Sequence, residues 1–149
     1  MASTIRIFTI GFTKKNAEKF FSLLRQGGVR KVLDTRLNNV SQLAGFTKRD
    51  DLSFFLKEVA GIEYEHAKDL APTDLMLKCY KKGEISWDSY AADYLALIQE
   101  REVQRQFSTE ALDGVCLLCS EVTPHHCHRR LAAEFFQQHL VCGVDIVHL

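Results

Sequence analysis

Near the carboxyl end of the chain, Cys119-Ser-Glu-Val-Thr-Pro-His-His-Cys-His-Arg-Arg130 gathers thiols, imidazoles, a carboxylate and two guanidinium groups into one short segment. It follows the most apolar strand-like run of the sequence and leads into a helical pattern, so Arg129 and Arg130 fall in a first helical turn. Cations there oppose the helix macrodipole, which favours Asp or Glu at that end. Free backbone N–H groups, the dipole and two guanidinium groups together attract an anion, and a phosphate or carboxylate would make the arrangement favourable. The competing reading is an ion pair that neutralises either arginine through Glu121 or Asp34. Cys127, beside His126, His128 and the arginines, is in a setting that stabilises a thiolate and hence a nucleophile. A capping thiol in a crowded turn is the plainer alternative.

The elements that must position this segment are legible as two alternating periods. Ile5 to Ile10, ended by Gly11, reads as a first strand. Ala17, Phe20, Phe21 and Leu24 form a helical stripe stopped by Gly27-Gly28, and Val29 to Asp34 is a second strand. Thr47 with Asp50 resembles a capping box ahead of Leu52, Phe55, Leu56 and Val59, with Gly61 as the terminal cap. Ile62 to Glu65 follows as a third strand. Pro72-Thr73 opens a short helix to about Lys82, and Ser86 caps a longer one with Trp87, Tyr90, Ala91, Tyr94, Leu95 and Ile98 on one face. Val115 to Cys119 is an unbroken apolar run, as in a strand covered on both sides. Leu131, Ala132, Phe135, Phe136 and Leu140 make the last helix, and Val144 to His148 a final strand.

This alternation predicts a single three-layer α/β domain over residues 1–149, Rossmann-like, with a mainly parallel sheet and helices on both faces. In such a sheet, ligands bind beyond the carboxyl ends of the strands. Those ends carry Gly11-Phe-Thr-Lys-Lys, Asp34-Thr-Arg36, Glu65-His66-Ala-Lys68-Asp69 and the Cys119 segment, which would share one rim. Solvated polar turns are the alternative for each cluster.

Bulk composition narrows the classes. The 149 residues are 46% hydrophobic and 26% charged, a globular balance, and Lys plus Arg matches Asp plus Glu at 19 each. That balance argues against general coating of nucleic acid, while leaving room for a local basic pocket. No apolar run approaches the roughly 20 residues that cross a bilayer, and the start lacks a signal-peptide pattern, so the expected location is cytoplasmic with no membrane partner.

Five cysteines do not form a secreted disulfide framework and read as free thiols. Cys116 and Cys119 spell C-x-x-C, but within a strand their odd offset sends them to opposite faces. Cys79, Cys116 and Cys142 read as packing residues. A metal site is the rival use of the dense segment. Cys119, His125, His126, Cys127 and His128, with His66, offer nitrogen and sulfur ligands for zinc or iron, although paired ligand spacing is missing and the arginines repel a cation.

Thr9-Ile-Gly-Phe12, Asp34-Thr-Arg36, Ile62-Glu-Tyr-Glu-His66 and Leu118-Cys-Ser-Glu121 with Cys127-His-Arg129 occur in that order. The chain thereby resembles a family of prokaryotic proteins catalogued as a domain of unknown function, number 488. The resemblance spans nearly the whole chain, and Cys-x-Glu with Cys-His-Arg is its most specific part. Family members commonly carry His after Thr-Ile-Gly, where Phe12 stands here. The resemblance implies a fold and site positions but no reaction.

The leading functional expectation is a domain that binds a small anionic ligand, a nucleotide or a nucleic-acid end. Gly11, Asp34, Arg36, Cys119, His128, Arg129 and Arg130 would line the site, with Asp34 orienting Arg36. If the site is enzymatic, Cys127 is the candidate nucleophile and Glu121 or His66 the acid or base. No cofactor is expected, since G-x-G-x-x-G and the phosphate loop G-x-x-x-x-G-K-[ST] are both lacking. Two other readings stay open. One is a metal-binding or redox-sensing module using Cys119, His126, Cys127 and His128; the other is a regulatory binding module without chemistry.

Overall fold

A computed structural model describes residues 4–39, 45–119 and 126–149. Its centre is a sheet of five parallel strands in the order β3-β2-β4-β1-β5. In chain order these are β1 (Thr4–Gly11), β2 (Lys31–Asp34), β3 (Glu63–His66), β4 (Val115–Cys119) and β5 (Gly143–His148). Every residue of β4 is buried, as its unbroken apolar run requires of a central strand covered on both faces.

Six α-helices are described: α1 (Ala17–Gly27), α2 (Arg49–Phe55), α3 (Asp74–Lys81), α4 (Trp87–Glu100), α5 (Thr109–Leu112) and α6 (His128–His139). They divide the hydrophobic residues into two cores. One joins Phe8, Ile10, Val32, Cys116 and Leu118 of the sheet to Phe20, Phe21 and Leu24 of α1, Leu52 of α2 and the following Leu56. The other joins Ile7, Leu33 and Leu117 to Tyr94 and Ile98 of α4 and to Leu131, Ala132, Phe135 and Phe136 of α6. Alternate residues of one strand enter opposite cores because successive side chains point to opposite faces. The architecture is α/β, with helices on both faces of the sheet.

Local signals explain most element ends. Asn16 caps α1 by accepting from the Lys19 N–H, and Gly28 ends it with φ of 76°, a left-handed conformation that glycine adopts without steric cost. Thr73 and Ser86 cap α3 and α4 through their hydroxyls. The expected capping box at Thr47 does not form. Thr47 ends a short 3₁₀ turn and is buried, Lys48 occupies the cap position without a side-chain hydrogen bond, and the helix starts at Arg49. Beyond α2 the chain continues as a π-helical turn over Leu56–Ala60 before Gly61 closes it. Val103–Arg105 and α5 add two short helical turns that the sequence periods did not announce.

Strand order puts β4 between β2 and β1. The chain leaves β1 and β2 toward the α1–α2 core, yet leaves β4 toward α6 in the other core. Neighbouring connections that depart to opposite faces open a crevice at the strand ends, here around the end of β4. None of the described helices is long and apolar enough to cross a membrane.

Candidate functional site

The register aligns the expected residues at one level. Gly11 pairs with Cys119, and Asp34 pairs with Leu118 on one side and His66 on the other. Strand alternation then splits the rim into two halves. Asp34 shares the face of Val32, on the α1–α2 side, whereas Cys119 shares the face of Leu117, toward α6.

The first half is built on Asp34, which is fully buried. Its Oδ1 accepts from the backbone N–H of Arg36 at 3.1 Å and from Arg36 Nε at 2.8 Å. Its Oδ2 accepts from Arg36 Nη2 at 2.8 Å, from the Tyr64 hydroxyl at 2.6 Å and from Asn39 Nδ2 at 3.4 Å. Burial alone would raise the carboxyl pKa, but hydrogen bonding to and attraction by Arg36, helped by Tyr64, bring it below the ordinary aspartate range. Burial pushes the Tyr64 phenol upward, followed by its hydrogen bond to Asp34 and then by the Asp34 charge. Arg36 also donates from Nη2 to the Thr47 carbonyl at 2.7 Å and lies over the Phe12 ring, 5.3 Å from its centroid. Only Nη1 of this guanidinium is buried without a hydrogen bond. His66 joins the network through Nε2, 2.8 Å from the Arg36 carbonyl, which fixes that nitrogen as the donor. On its outer side His66 borders a cleft of about 240 Å3 with Lys68, Asp69 and Gln106.

The second half is built on the start of α6. Cys127 is its N-cap, but the thiol makes no capping hydrogen bond. Its sulfur is joined instead to that of Cys119. The expectation of five free thiols is thereby corrected: Cys79, Cys116 and Cys142 are free, and a thiolate at Cys127 exists only when the bond to Cys119 is reduced. The two cysteines are eight residues apart, one closing β4 and the other capping α6. Arg129 is entirely buried and donates from Nη1 to Cys119 Sγ at 3.1 Å. No acidic residue occupies the first turn of α6.

Thr35 stitches the halves together. Its N–H and its hydroxyl both donate to the Leu118 carbonyl, at 3.0 and 2.8 Å. His128 Nε2 approaches the Thr35 carbonyl at 2.9 Å and its hydroxyl oxygen at 3.0 Å. A carbonyl only accepts, so the proton of the neutral ring sits on Nε2. Burial is the main reason that the His128 pKa falls to about 4, with Arg129 lowering it further, while Thr35 and Asp34 act the other way. Arg129 contributes in the same direction at Lys15, where burial is again the larger cause, and at His148 at the end of β5. The positive field of Arg129 therefore reaches Lys15 after β1, His128 and the far edge of the crevice.

Other sequence candidates are placed elsewhere. Arg130 turns to the helix flank, 3.7 Å from Glu134 and 5.9 Å from the Trp87 ring centroid. His126 is exposed and stacks on Trp87 at 4.8 Å. Glu121 and His125 lie outside the described residues. Among the described residues, no group of three or more His, Cys, Asp or Glu side chains could hold a metal ion. Tyr64, Asn39, Thr35 and Lys15 are site neighbours that sequence reasoning did not single out. Tyr64 had a usable signal, because it stands two residues before His66 in a strand and so shares its face.

A family model described as Domain of unknown function DUF488 matches residues 16–136. The chain belongs to that family. The matched span of this DUF488 chain runs from the α1 cap through most of α6, and so contains Asp34, Arg36, His66, Cys119, Cys127 and Arg129. Gly11, Phe12 and Lys15 precede it. No curated protein and no solved structure matches the chain.

Proposed function

We propose that the crevice around the end of β4 binds an anionic group, the phosphate of a nucleotide or of a nucleic-acid end. The observation that carries this reading is the placement of Arg36 just after β2 and of Arg129, close enough to Lys15 to interact with it, at the carboxyl ends of the strands beside the N-terminus of α6. Asp34 is the carboxylate within the network, and its oxygens are already engaged by Arg36, Tyr64 and Asn39. An anion at this place would meet guanidinium and ammonium groups together with the positive end of the α6 dipole, a setting that favours phosphate. Arg36 supports the reading further, since Nη1 is a buried donor awaiting an acceptor.

Isothermal titration of inorganic phosphate, sulfate and nucleoside 5′-monophosphates against the protein tests it. Arg129→Ala and Arg36→Ala should each weaken binding by about tenfold or more, the scale of one charge-assisted hydrogen bond. Melting curves must accompany both variants, so that lost folding is separated from lost affinity. Unchanged affinity for every anion in both folded variants would overturn the proposal.

A further inference from the structure

Where α4 packs on α6, four stacked rings form a ladder that runs from the core to the surface. Tyr90 is 2% exposed, and its ring lies 4.8 Å from Tyr80 and 5.5 Å from Trp87, both pairs near parallel at 29°. Trp87 is partly buried, and His126 stacks on it at 4.8 Å and 22° as the exposed outer ring. Arg130 lies over the same indole, 5.9 Å from its centroid. Two helix starts hold the ladder in place. The Ser86 hydroxyl caps α4, so that Trp87 is its first residue, and His126 immediately precedes Cys127, the N-cap of α6. The outer ring is therefore one residue, about 3.8 Å along the chain, from the helix end read above as the anion site.

We propose that this ladder is a base-stacking platform, so that the ligand of the anion site is a nucleotide with its phosphate at the start of α6 and its base stacked at the His126 end. The inference rests on the anion-binding reading above and names the substrate class of that site. A flat, delocalised base repeats the parallel stacking that His126 already makes on Trp87, and covers aromatic surface that inorganic phosphate or an aliphatic acid would leave in water. Base and phosphate of one nucleotide hang from the same sugar, so the two elements that recognise them must be neighbours. The adjacency of His126 to the α6 cap makes them so. Stacking reads a π face rather than a hydrogen-bond pattern, so the platform accepts any base and favours the larger purines. Tyr90 anchors the inner end in the core, which keeps the platform in place before a ligand arrives and lowers the cost of ordering it on binding. A free nucleotide and the terminal nucleotide of a nucleic acid present this same chemistry.

Titration of AMP, CMP and ribose 5-phosphate against the full chain reads the platform separately from the anion site. AMP should bind about tenfold more tightly than ribose 5-phosphate, which carries the same phosphate and sugar without a base, and CMP should fall between them. His126→Ala should weaken AMP by about tenfold and leave ribose 5-phosphate unchanged. His126→Phe keeps a ring and should restore the AMP affinity. Trp87 is the single tryptophan of the chain, so its fluorescence should change on saturation with AMP and stay as it is with ribose 5-phosphate. A 5′-phosphorylated adenine trinucleotide separates the two sources. Binding at least as tight as that of AMP assigns the site to a nucleic-acid end, and its exclusion assigns the site to a free nucleotide; either result keeps the platform. Equal affinity for AMP and ribose 5-phosphate overturns this inference and leaves anion binding standing. So does a His126→Ala variant that retains full AMP affinity or loses both ligands equally. Failure of phosphate, sulfate and every phosphorylated compound to bind would sink both readings.

Discussion

On the α1–α2 side of the strand ends, the buried charge of Asp34 meets five hydrogen bonds, two of them from a bidentate arginine. On the α6 side, an equally buried Arg129 meets a sulfur, and its field bears on Lys15, His128 and His148. The first half is an ion pair in which each partner offsets the other's desolvation, with Arg36 Nη1 the one nitrogen of that guanidinium without an acceptor. The second brings Arg129 close to Lys15 and beside the Cys119–Cys127 pair. Satisfied networks hold a fold in one conformation, whereas excess charge of one sign is an arrangement that a ligand completes. The two halves should therefore respond differently to the same kind of damage.

Removing Asp34 should be the most costly single change. Asp34→Ala leaves the Arg36 guanidinium buried without its counter-charge, a loss on the order of 3–5 kcal/mol. Arg129→Met should cost clearly less stability while sharply reducing phosphate affinity, and urea denaturation of the two variants measures the difference. Similar midpoints for both would erase the distinction between a structural half and a ligand-binding half.

Acid should act on the halves in separate windows. His128 has a folded pKa of about 4 against an ordinary 6.5, so the unfolded chain binds its proton first. Stability from the neutral ring is fully present above pH 6.5 and drains away as pH falls toward 4, by about 3 kcal/mol in total. Asp34 is also lowered, but from the carboxylate range. Its contribution is present above about pH 4 and is lost only below that. Urea midpoints between pH 7 and 4 should fall in the wild type and stay nearly flat in His128→Gln. A parallel decline in that variant would assign the acid sensitivity to other groups.

How much of this could be read from the chain differs between the halves. Val115–Cys119 was legible as a covered strand because an apolar run bounded by Gly114 has few other homes in an α/β sequence. The close of α1 was legible because Gly28 takes a backbone conformation that other residues adopt at a cost. The Asp34–Arg36 pair was within reach because two residues after a strand can fold back on its end. Strand order was not legible, since hydrophobic periods say which face is buried but not which strand lies alongside. The union of Cys119 with Cys127 was hidden for that reason, as it depends on how α6 leaves β4. Thr47 misled because the capping pattern is local, and the buried carbonyl contact with Arg36 that it serves is not.

Tyr64→Phe should produce an intermediate effect. It removes a 2.6 Å hydrogen bond to Asp34 Oδ2 and leaves the ring in place. A loss of about 1–2 kcal/mol is expected, with the acid limb of the stability curve moving to higher pH because Asp34 is less strongly held ionised. A stability loss with no change in the acid limb would mean that Arg36 alone controls the Asp34 carboxylate.

The smallest effect belongs to Phe12, where the family resemblance would place a histidine. Phe12 is 7% exposed, and its ring lies 5.3 Å from the Arg36 guanidinium carbon. The ring face attracts the cation that lies over it. Phe12→Leu keeps an apolar side chain but deletes the π face, so it should cost about 0.5–1 kcal/mol. Phe12→His should cost more and become worse on acidification, because an imidazolium beside Arg36 adds a like charge at a buried site. Denaturation of the two variants at pH 8 and pH 5.5 separates these terms. If Phe12→Leu matches the wild type at both, Arg36 is positioned by Asp34 and the Thr47 carbonyl alone. The structural half of the rim would then be complete without the ring, leaving Phe12 as packing at the end of β1.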